Sequence, residues 1–435
     1  MKLCIHRGAT QIGGSCVELE SQGRRLLLDL GLPLDAEDNS SSYLPTVSGL
    51  TEPDETLLGI LITHPHLDHY GLLAHIRPDL SVAMGAAARR IIEAAAPWVP
   101  GSLIPPGGPI LENRRQFDWG PFRITPFLVD HSAFDAYALL IEADGQRVFY
   151  SGDFRAHGRK GTLFEKMIAC PPRGIDVLLM EGSSLGRLDM ETTFETESHL
   201  EGRMGDEIRA AEGLALVYAS AQNIDRIVTI FRAAKRSGRA MVIDLYSATI
   251  LEATGKDSIP KSHWPDVSLY VPHRQRIQIK ENARFDVLAR HSANRIFMET
   301  LASNPNGHVL LFRPAHMRDL EQAGAIKGAR FLYSMWEGYL KEGHGSKVRE
   351  WADRMKIPFS QFHTSGHAGP SDLKRYAEAI DPRAIVPIHS FHPNSYGQLF
   401  PRVEPHSDGA WWDLASPSLD SGGVVHSSRP RILGV

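Results

Sequence analysis

Apolar residues along the chain come in short runs, uncharged or alternating, each closed by a polar or glycine-rich break. The clearest is Leu57-Leu58-Gly59-Ile60-Leu61-Ile62. An uncharged run of that length predicts a strand buried on both faces, delivering the polar residues after it to its carboxyl end. Upstream, Ser15 to Glu20 alternates and Arg25 to Asp29 is buried toward its end, which predicts strands, with Gly13-Gly14 as punctuation. Asp35 to Pro53 is polar and turn-rich and reads as a surface loop. A short helix is expected over Tyr70 to Ile76 and a second over Ala86 to Ala96, followed by a Pro- and Gly-rich loop from Trp98 to Gly108. Strand patterns return at Phe122 to Val129, Arg147 to Tyr150 and Val177 to Met180.

From about Glu201 to Trp336 the pattern becomes an alternation of strands and helices. Leu214 to Tyr218, Ala240 to Asp244, Val309 to Phe312 and Ala329 to Tyr333 read as strands, and Asn223 to Ser237 as a helix. Such alternation predicts a parallel sheet with right-handed crossovers. Ile224, Ile227, Ile230, Phe231 and Ala234 form the helix's core stripe, while Arg226, Arg232, Lys235 and Arg236 lie on its other face. That face, like His273-Arg274-Gln275-Arg276 with Lys280, reads first as solvated surface and only weakly as a track for a phosphate backbone. A helix over Arg375 to Ile380 and a strand over Ala384 to Ile388 follow, and the tail from Ser416 to Pro430 reads as loosely ordered.

Composition narrows the class. At 435 residues the chain exceeds one comfortable core, so two domains, or one with a large insertion, are expected. A net charge of −4 gives no bulk attraction for nucleic acid, so any polyanion would be held by local basic patches or by metal ions. Three cysteines without C-x-x-C spacing suggest neither a disulfide framework nor a thiolate zinc site. The start has no signal-peptide core and no run reaches the roughly 18 apolar residues of a membrane span, so the expectation is a cytoplasmic protein in a reducing compartment, without a membrane partner.

The chemistry concentrates in Thr63-His64-Pro65-His66-Leu67-Asp68-His69, directly after the buried run. Three imidazoles and a carboxylate within six residues are nitrogen and oxygen donors suited to Zn²⁺ or Mn²⁺. His64 and His66 are two apart while Asp68 and His69 are adjacent, so two neighbouring ions are the simpler reading than one. A lone histidine is more often a satisfied structural residue; a cluster of this density at a strand end is a metal site first.

This spacing resembles the signature of the metallo-β-lactamase superfamily. Asp29-Leu30-Gly31 is similar to its early D-x-G, a supporting motif. His131, after the strand ending at Val129, stands where the superfamily has its third metal imidazole. Asp153 in Ser151-Gly152-Asp153 matches the carboxylate that bridges both ions. Three later motifs resemble the β-CASP branch, nucleases of RNA and DNA. Glu181 ends the strand over Val177 to Met180, Phe362-His363-Thr364-Ser365-Gly366-His367-Ala368 is similar to the second motif, and His389-Ser390 after Ala384 to Ile388 to the third. RNA-processing members such as ribonuclease J and the mRNA 3′-end nuclease carry a histidine like His389, which leans the reading toward RNA over DNA. The chain departs from ribonuclease J in reading His389-Ser390-Phe391-His392 where H-G-E is usual, and ending at Val435 leaves no room for a separate C-terminal domain.

The resemblance implies an α/β fold: a metallo-β-lactamase αββα sandwich (residues 1–195 and 353–435) with an inserted parallel α/β β-CASP domain (196–352). It implies a metal-dependent nuclease hydrolysing phosphodiester bonds by a two-metal-activated hydroxide. His64, His66 and His131 would hold one ion, Asp68, His69 and His389 the second, and Asp153 would be shared; zinc is the first expectation and manganese is compatible. Asp68 also counts as catalytic, His367 is the general acid with Glu181 bonded to its other nitrogen, and Ser365 and Gly366 contact substrate phosphate. The alternatives are a DNA nuclease on the same scaffold, a small-molecule hydrolase, which would have no use for the inserted lobe, and a non-catalytic subunit of an RNA-processing assembly. Internal against terminal cutting and the oligomeric state, a homo-oligomer included, stay open.

Overall fold

The computed structural model describes residues 1–99, 103–341 and 343–414; the tail from 416 to 430 lies outside them. Among the described residues, one sheet has seven strands, in the order Trp411–Asp413, Lys2–Arg7, Cys16–Ser21, Arg24–Leu28, Leu57–Leu61, Val82–Gly85 and Ile110–Leu111. A second has six: Ala384–Ile388, Val177–Glu181, Gln146–Tyr150, Ala136–Ala143, Phe122–Val129 and Phe117–Trp119. Period-two alternation decides what lies between them. Leu3, Ile5, Val17, Leu19, Leu26 and Leu28 of the first sheet meet Leu139, Ile141, Val148, Tyr150, Val177 and Leu179 of the second in one buried cluster.

The opposite faces are covered by helices. Phe149, Leu178 and Met180 pack against Phe164 and Met167 of Gly161–Ala169 and Leu373 and Tyr376 of Pro370–Ile380. Leu27, Ile60 and Val82 pack under Tyr70, Leu72 and Ile92. The result is the expected αββα sandwich. At roughly 1.5–3 kcal/mol per fully buried large aliphatic or Phe side chain, these layers are the main force holding the strand ends in place.

Between the strands Val177–Glu181 and Ala384–Ile388, paired in parallel in the second sheet, the chain builds a separate, wholly parallel sheet. Its six strands run in the order Val267–Leu269, Ala240–Ile243, His308–Leu311, Ala215–Tyr218, Arg330–Tyr333 and Phe359–Gln361. Helices cover both faces, Glu197–Ala210 and Ile224–Arg236 on one and Gly343–Arg354 on the other. Phe359–Gln361 lies past residue 352, because hydrogen bonding to Arg330–Tyr333 keeps the chain in this sheet for one more strand.

Two local expectations are corrected. The helix after the histidine cluster starts at Leu67 and ends at Tyr70, continuing as a 3₁₀ turn over Gly71–His75, so Asp68 and His69 lie inside its first turn. Arg226 is not on a solvated face: it is fully buried and bonded to Glu197, Ser334 and the carbonyl of Phe362. Lys235 and Arg236 pair with Asp266 and Glu201, which removes most of the suggested basic stripe. No helix among the described residues is long and apolar enough to cross a membrane.

Candidate metal centre

Strands that run in one direction end on one rim, and the sequence puts polar residues after each of them. The strand Leu57–Leu61 delivers His64, His66, Asp68 and His69; Phe122–Val129 delivers His131; Gln146–Tyr150 delivers Asp153; Val177–Glu181 ends on Glu181; and Ala384–Ile388 delivers His389. The ligand atoms fall into two groups, His64 with His66 and His131, and Asp68 with His69, Asp153 and His389; within each group they lie within 4.8 Å of one another. Asp153 Oδ2 sits between the groups, 3.6 Å from His64 Nε2, 3.1 Å from His69 Nε2 and 3.7 Å from His389 Nε2.

Four of the five imidazoles are turned by a bond on their other nitrogen, while His66 Nδ1 lies 3.1 Å from His131 Nε2. His131 Nδ1 donates to the carbonyl of Gly366 at 2.6 Å, and His69 Nδ1 donates to Asp29 Oδ2 at 2.8 Å. Thr63 Oγ1 gives its proton to Asp29, within 3.0 Å of both oxygens, and so accepts from His64 Nδ1 at 3.0 Å. His389 Nδ1 faces the Ser15 hydroxyl at 3.0 Å. This arrangement leaves the Nε2 lone pairs of His64, His69 and His131 facing the centre, as ligand histidines require; His389 Nδ1 also accepts from the Gly13 amide at 3.4 Å. Asp29 also accepts from the Thr63 amide at 2.8 Å and the Tyr150 hydroxyl at 2.8 Å, so one buried carboxylate braces three segments.

Backbone conformation contributes as well. His389 has φ 54° and Asp29 φ 58°, a left-handed region that costs a side-chain-bearing residue on the order of 1 kcal/mol. The His389 amide donates to the carbonyl of Gly8 at 2.8 Å, which fixes that turn. Gly152 has φ 52°, and a Cβ there would stand 2.9 Å from the carbonyl oxygen of Tyr137, so the turn into Asp153 needs glycine.

The donor set fits divalent cations. His64 Nε2, His69 Nε2, His389 Nε2 and both oxygens of Asp153 are buried without a hydrogen-bond partner. An orphaned buried polar atom costs roughly 1–3 kcal/mol, so five turned to one place call for a shared positive partner. Burial is the main cause pushing His64 and His131 well below the ordinary imidazole range and His66 down to about 4, which keeps their lone pairs free near neutral pH. Burial also depresses His69, but Asp153, Asp29 and Asp68 outweigh it and raise that group well above the usual range: the second cluster favours positive charge.

Opposite the ligands lies the turn Ser365-Gly366-His367. His367 Nδ1 is 3.5 Å from Glu181 Oε1 and 3.8 Å from Asp153 Oδ2. Burial draws its pKa down, but the carboxylates of Asp153 and then Glu181 outweigh it and hold it at about 9. The expected His367–Glu181 hydrogen bond is an ion-pair contact at 3.5 Å, because Glu181 accepts instead from the amides of Ser183 at 3.0 Å and Ala368 at 3.4 Å. Ser365 Oγ accepts from the His367 amide at 3.0 Å, and a Cβ on Gly366 would stand 2.7 Å from Ser132 Oγ.

Sequence reasoning did not single out the residues that hold this turn. Arg155 Nη1 and His157 Nε2 both donate to the carbonyl of Ser365, at 3.1 and 2.8 Å. The only available signal was proximity: both follow Asp153 by a few residues. Tyr150 and Ser15 were equally unmarked, each legible only as an inward position of a strand or its edge.

Comparison with known proteins agrees with this geometry. Residues 24–243, just over half of the chain, match the family model described as a beta-lactamase superfamily domain. Similar proteins include ribonuclease J of Mycoplasma pneumoniae, 22% identical over 89% of this chain and 67% of that protein. They also include ribonuclease J of Mycolicibacterium smegmatis, 26% identical over 88% of this chain and 67% of that protein. The chain thus spans about two thirds of the length of these relatives, and 55% of ribonuclease J of Helicobacter pylori, to which it is 21% identical. A solved structure from Enterococcus faecalis V583, of a protein of unknown function, has the same fold over 94% of this chain and 99% of that one, with TM-score 0.74 at 17% identity. On the family match, and on the motif order that the fold brings to one rim, the chain belongs to the beta-lactamase superfamily, with the metallo-β-lactamase domain that its histidine motif resembles.

Proposed function

We propose that this protein is a metal-dependent hydrolase that cleaves phosphodiester bonds in RNA. One observation carries the reading: seven donor side chains from four strand ends converge on a centre with a shared carboxylate, and a histidine stands across from them. The ribonuclease J relatives, matched along nearly the whole of this chain, support RNA as the substrate class, and so does His389. The parallel lobe inserted between two paired strands supports the β-CASP branch. In this reading the sandwich is interrupted near residue 196 and resumes after Phe359–Gln361.

His64, His66 and His131 would hold one divalent cation, and Asp68, His69 and His389 a second, with Asp153 common to both; zinc and manganese both suit these donors. Such ions supply Lewis acidity, acidifying water and drawing off negative charge on phosphate. The chain's own residues do the rest. His367, kept protonated by Asp153 and Glu181, is positioned to pass a proton to the leaving oxygen. The lack of a Cβ on Gly366 lets the turn pack against Ser132 and His131, its amide would meet substrate phosphate, and the Ser365 hydroxyl, already bonded to the His367 amide, can turn its proton toward that phosphate. Asp29, Thr63 and Ser15 keep the imidazoles oriented before substrate arrives.

The test is a time course on end-labelled single-stranded RNA beside DNA of the same sequence, with the metal-loaded protein. RNA should be hydrolysed and DNA spared or cut far more slowly. Equal rates would move the assignment to a general nuclease, and no cleavage of either, with less than one equivalent of bound metal, would favour a non-catalytic subunit.

A further inference from the structure

We propose that Trp336 and Tyr339 form a stacking platform for an unpaired base of the RNA substrate, on the turn that leaves the inserted sheet alongside the segment leading to His367. The inference rests on the RNA reading above and adds how single-stranded substrate is gripped.

The backbone places the pair. Phe362 donates its amide to the carbonyl of Tyr333 at 2.8 Å, and Ser334 Oγ donates to the carbonyl of Phe362 at 2.6 Å. Two segments therefore leave the same sheet edge side by side. One runs on through His363 to His367 at the centre; the other leads through Met335 into Trp336 and the short turn Glu337–Leu340. Burial and, after it, the charge of Asp68 push the Tyr339 phenol upward. Tyr339 is 53% exposed all the same, so water reaches the ring.

The pair is built to present rings. Their centroids are 5.4 Å apart with planes at 89°, and a Cβ on Gly338 would stand 2.2 Å from the Trp336 ring, so glycine is what lets the indole fold over the turn. Trp336 stays 49% exposed. The sandwich contributes Leu34 at 59% and Leu67 at 54%, and Leu34 and the Asp68 Cβ flank Gly13. Large apolar groups left exposed next to the metal-ligand loop mark a recognition surface.

Among possible occupants, an unpaired base fits best. It has a flat π-face for the indole and phenol and carries a phosphate that cations would draw in. The protein's net charge is mildly negative and Lys235 and Arg236 are already ion-paired, so stacking adds grip that this basic stripe does not give.

The experiment uses short single-stranded RNAs in which one abasic nucleotide is walked through the positions flanking the cleaved bond. They are offered to the metal-loaded parent, to Trp336→Ala with Tyr339→Ala, and to Trp336→Phe with Tyr339→Phe. On intact RNA the alanine pair should raise KM by roughly 5- to 100-fold, the range expected for a lost base stack, while kcat stays within about threefold. At one position the abasic substrate should cost the parent the same factor and cost the alanine pair nothing further; the phenylalanine pair should behave as the parent. Metal content and thermal unfolding report whether the variants are intact. Independent, multiplying penalties, or parental KM for the alanine pair, overturn the proposal while leaving the nuclease reading in place. A parent that hydrolyses no RNA at all removes that reading and this one together. If the alanine pair converts a dimer to a monomer on sedimentation without changing KM, the rings are a contact between copies and the platform is refuted.

Discussion

Arg155 Nη2 donates to Asp225 Oδ2 at 2.7 Å, and through that contact the sandwich grips the first helix after the inserted sheet's central strand. The same guanidinium reaches Asp130 Oδ1 at 3.3 Å, next to His131, and the carbonyl of Ser365 at 3.1 Å. Glu197, 3.6 Å from Arg155, passes the connection to Arg226 at 2.9 Å. Two lobes and the turn carrying His367 thus share one buried charge network.

Removing one member strands the others. Arg155→Ala should lower the unfolding free energy by ~3–5 kcal/mol, the usual cost of leaving buried partners uncompensated. Urea denaturation followed by circular dichroism measures it, and an unchanged midpoint would mean the network is not holding the lobes. Arg155→Lys should recover only part of the loss, because an ammonium cannot serve three separated acceptors in a plane.

Asp153→Asn should reduce bound metal in both groups at once, because its Oδ2 lies between His64 and His69. Elemental analysis should fall from about two equivalents to less than one. His389→Ala touches only the second group, so a variant that also empties the first would contradict the pairing.

Asp29→Asn keeps the shape but weakens the acceptor that holds His69 Nδ1, Thr63 and Tyr150. Metal affinity should drop roughly 10- to 100-fold, as for other supporting carboxylates. Chelator competition gives the number directly.

His367→Ala should keep its metal and lose ~10²–10⁴-fold in turnover, the ordinary share of a general acid. Parental turnover would send the search for the proton donor elsewhere.

Away from the centre, His6 Nε2 meets Glu18 Oε2 at 2.6 Å. Burial lowers the imidazole pKa, yet the contacts with Cys4 and Glu18 outweigh it and raise it to about 9. The folded protein therefore holds this proton more tightly than the unfolded chain, whose histidine titrates near 6.5. Between about pH 6.5 and 9 the folded state binds more protons, so the stabilisation present below 6.5 is lost as pH rises through 9. His6→Gln should flatten that part of a melting-temperature profile, and a parallel decline in both proteins would place its cause in other groups.

The sequence by itself determined the elements and the donor inventory. Periodicity is local, so uncharged runs such as Leu57 to Ile62 and alternations such as Phe122 to Val129 declare strands without reference to the rest of the chain. A dense cluster such as His64 to His69 declares its chemistry in the same way, and the resemblance to the metallo-β-lactamase and β-CASP motifs supplied His131, Asp153, Glu181, His367 and His389. Tertiary structure decided what depends on groups distant in sequence. Arg226 sits in a helix whose pattern reads as a solvated face, yet Glu197, Ser334 and Phe362 close over it. Glu181 turns its oxygens to the amides of Ser183 and Ala368 and meets His367 only at ion-pair distance. Arg155 and Trp336 carry no pattern of their own; their meaning comes from the charges and surfaces that folding sets against them, and one-dimensional spacing does not encode such meetings.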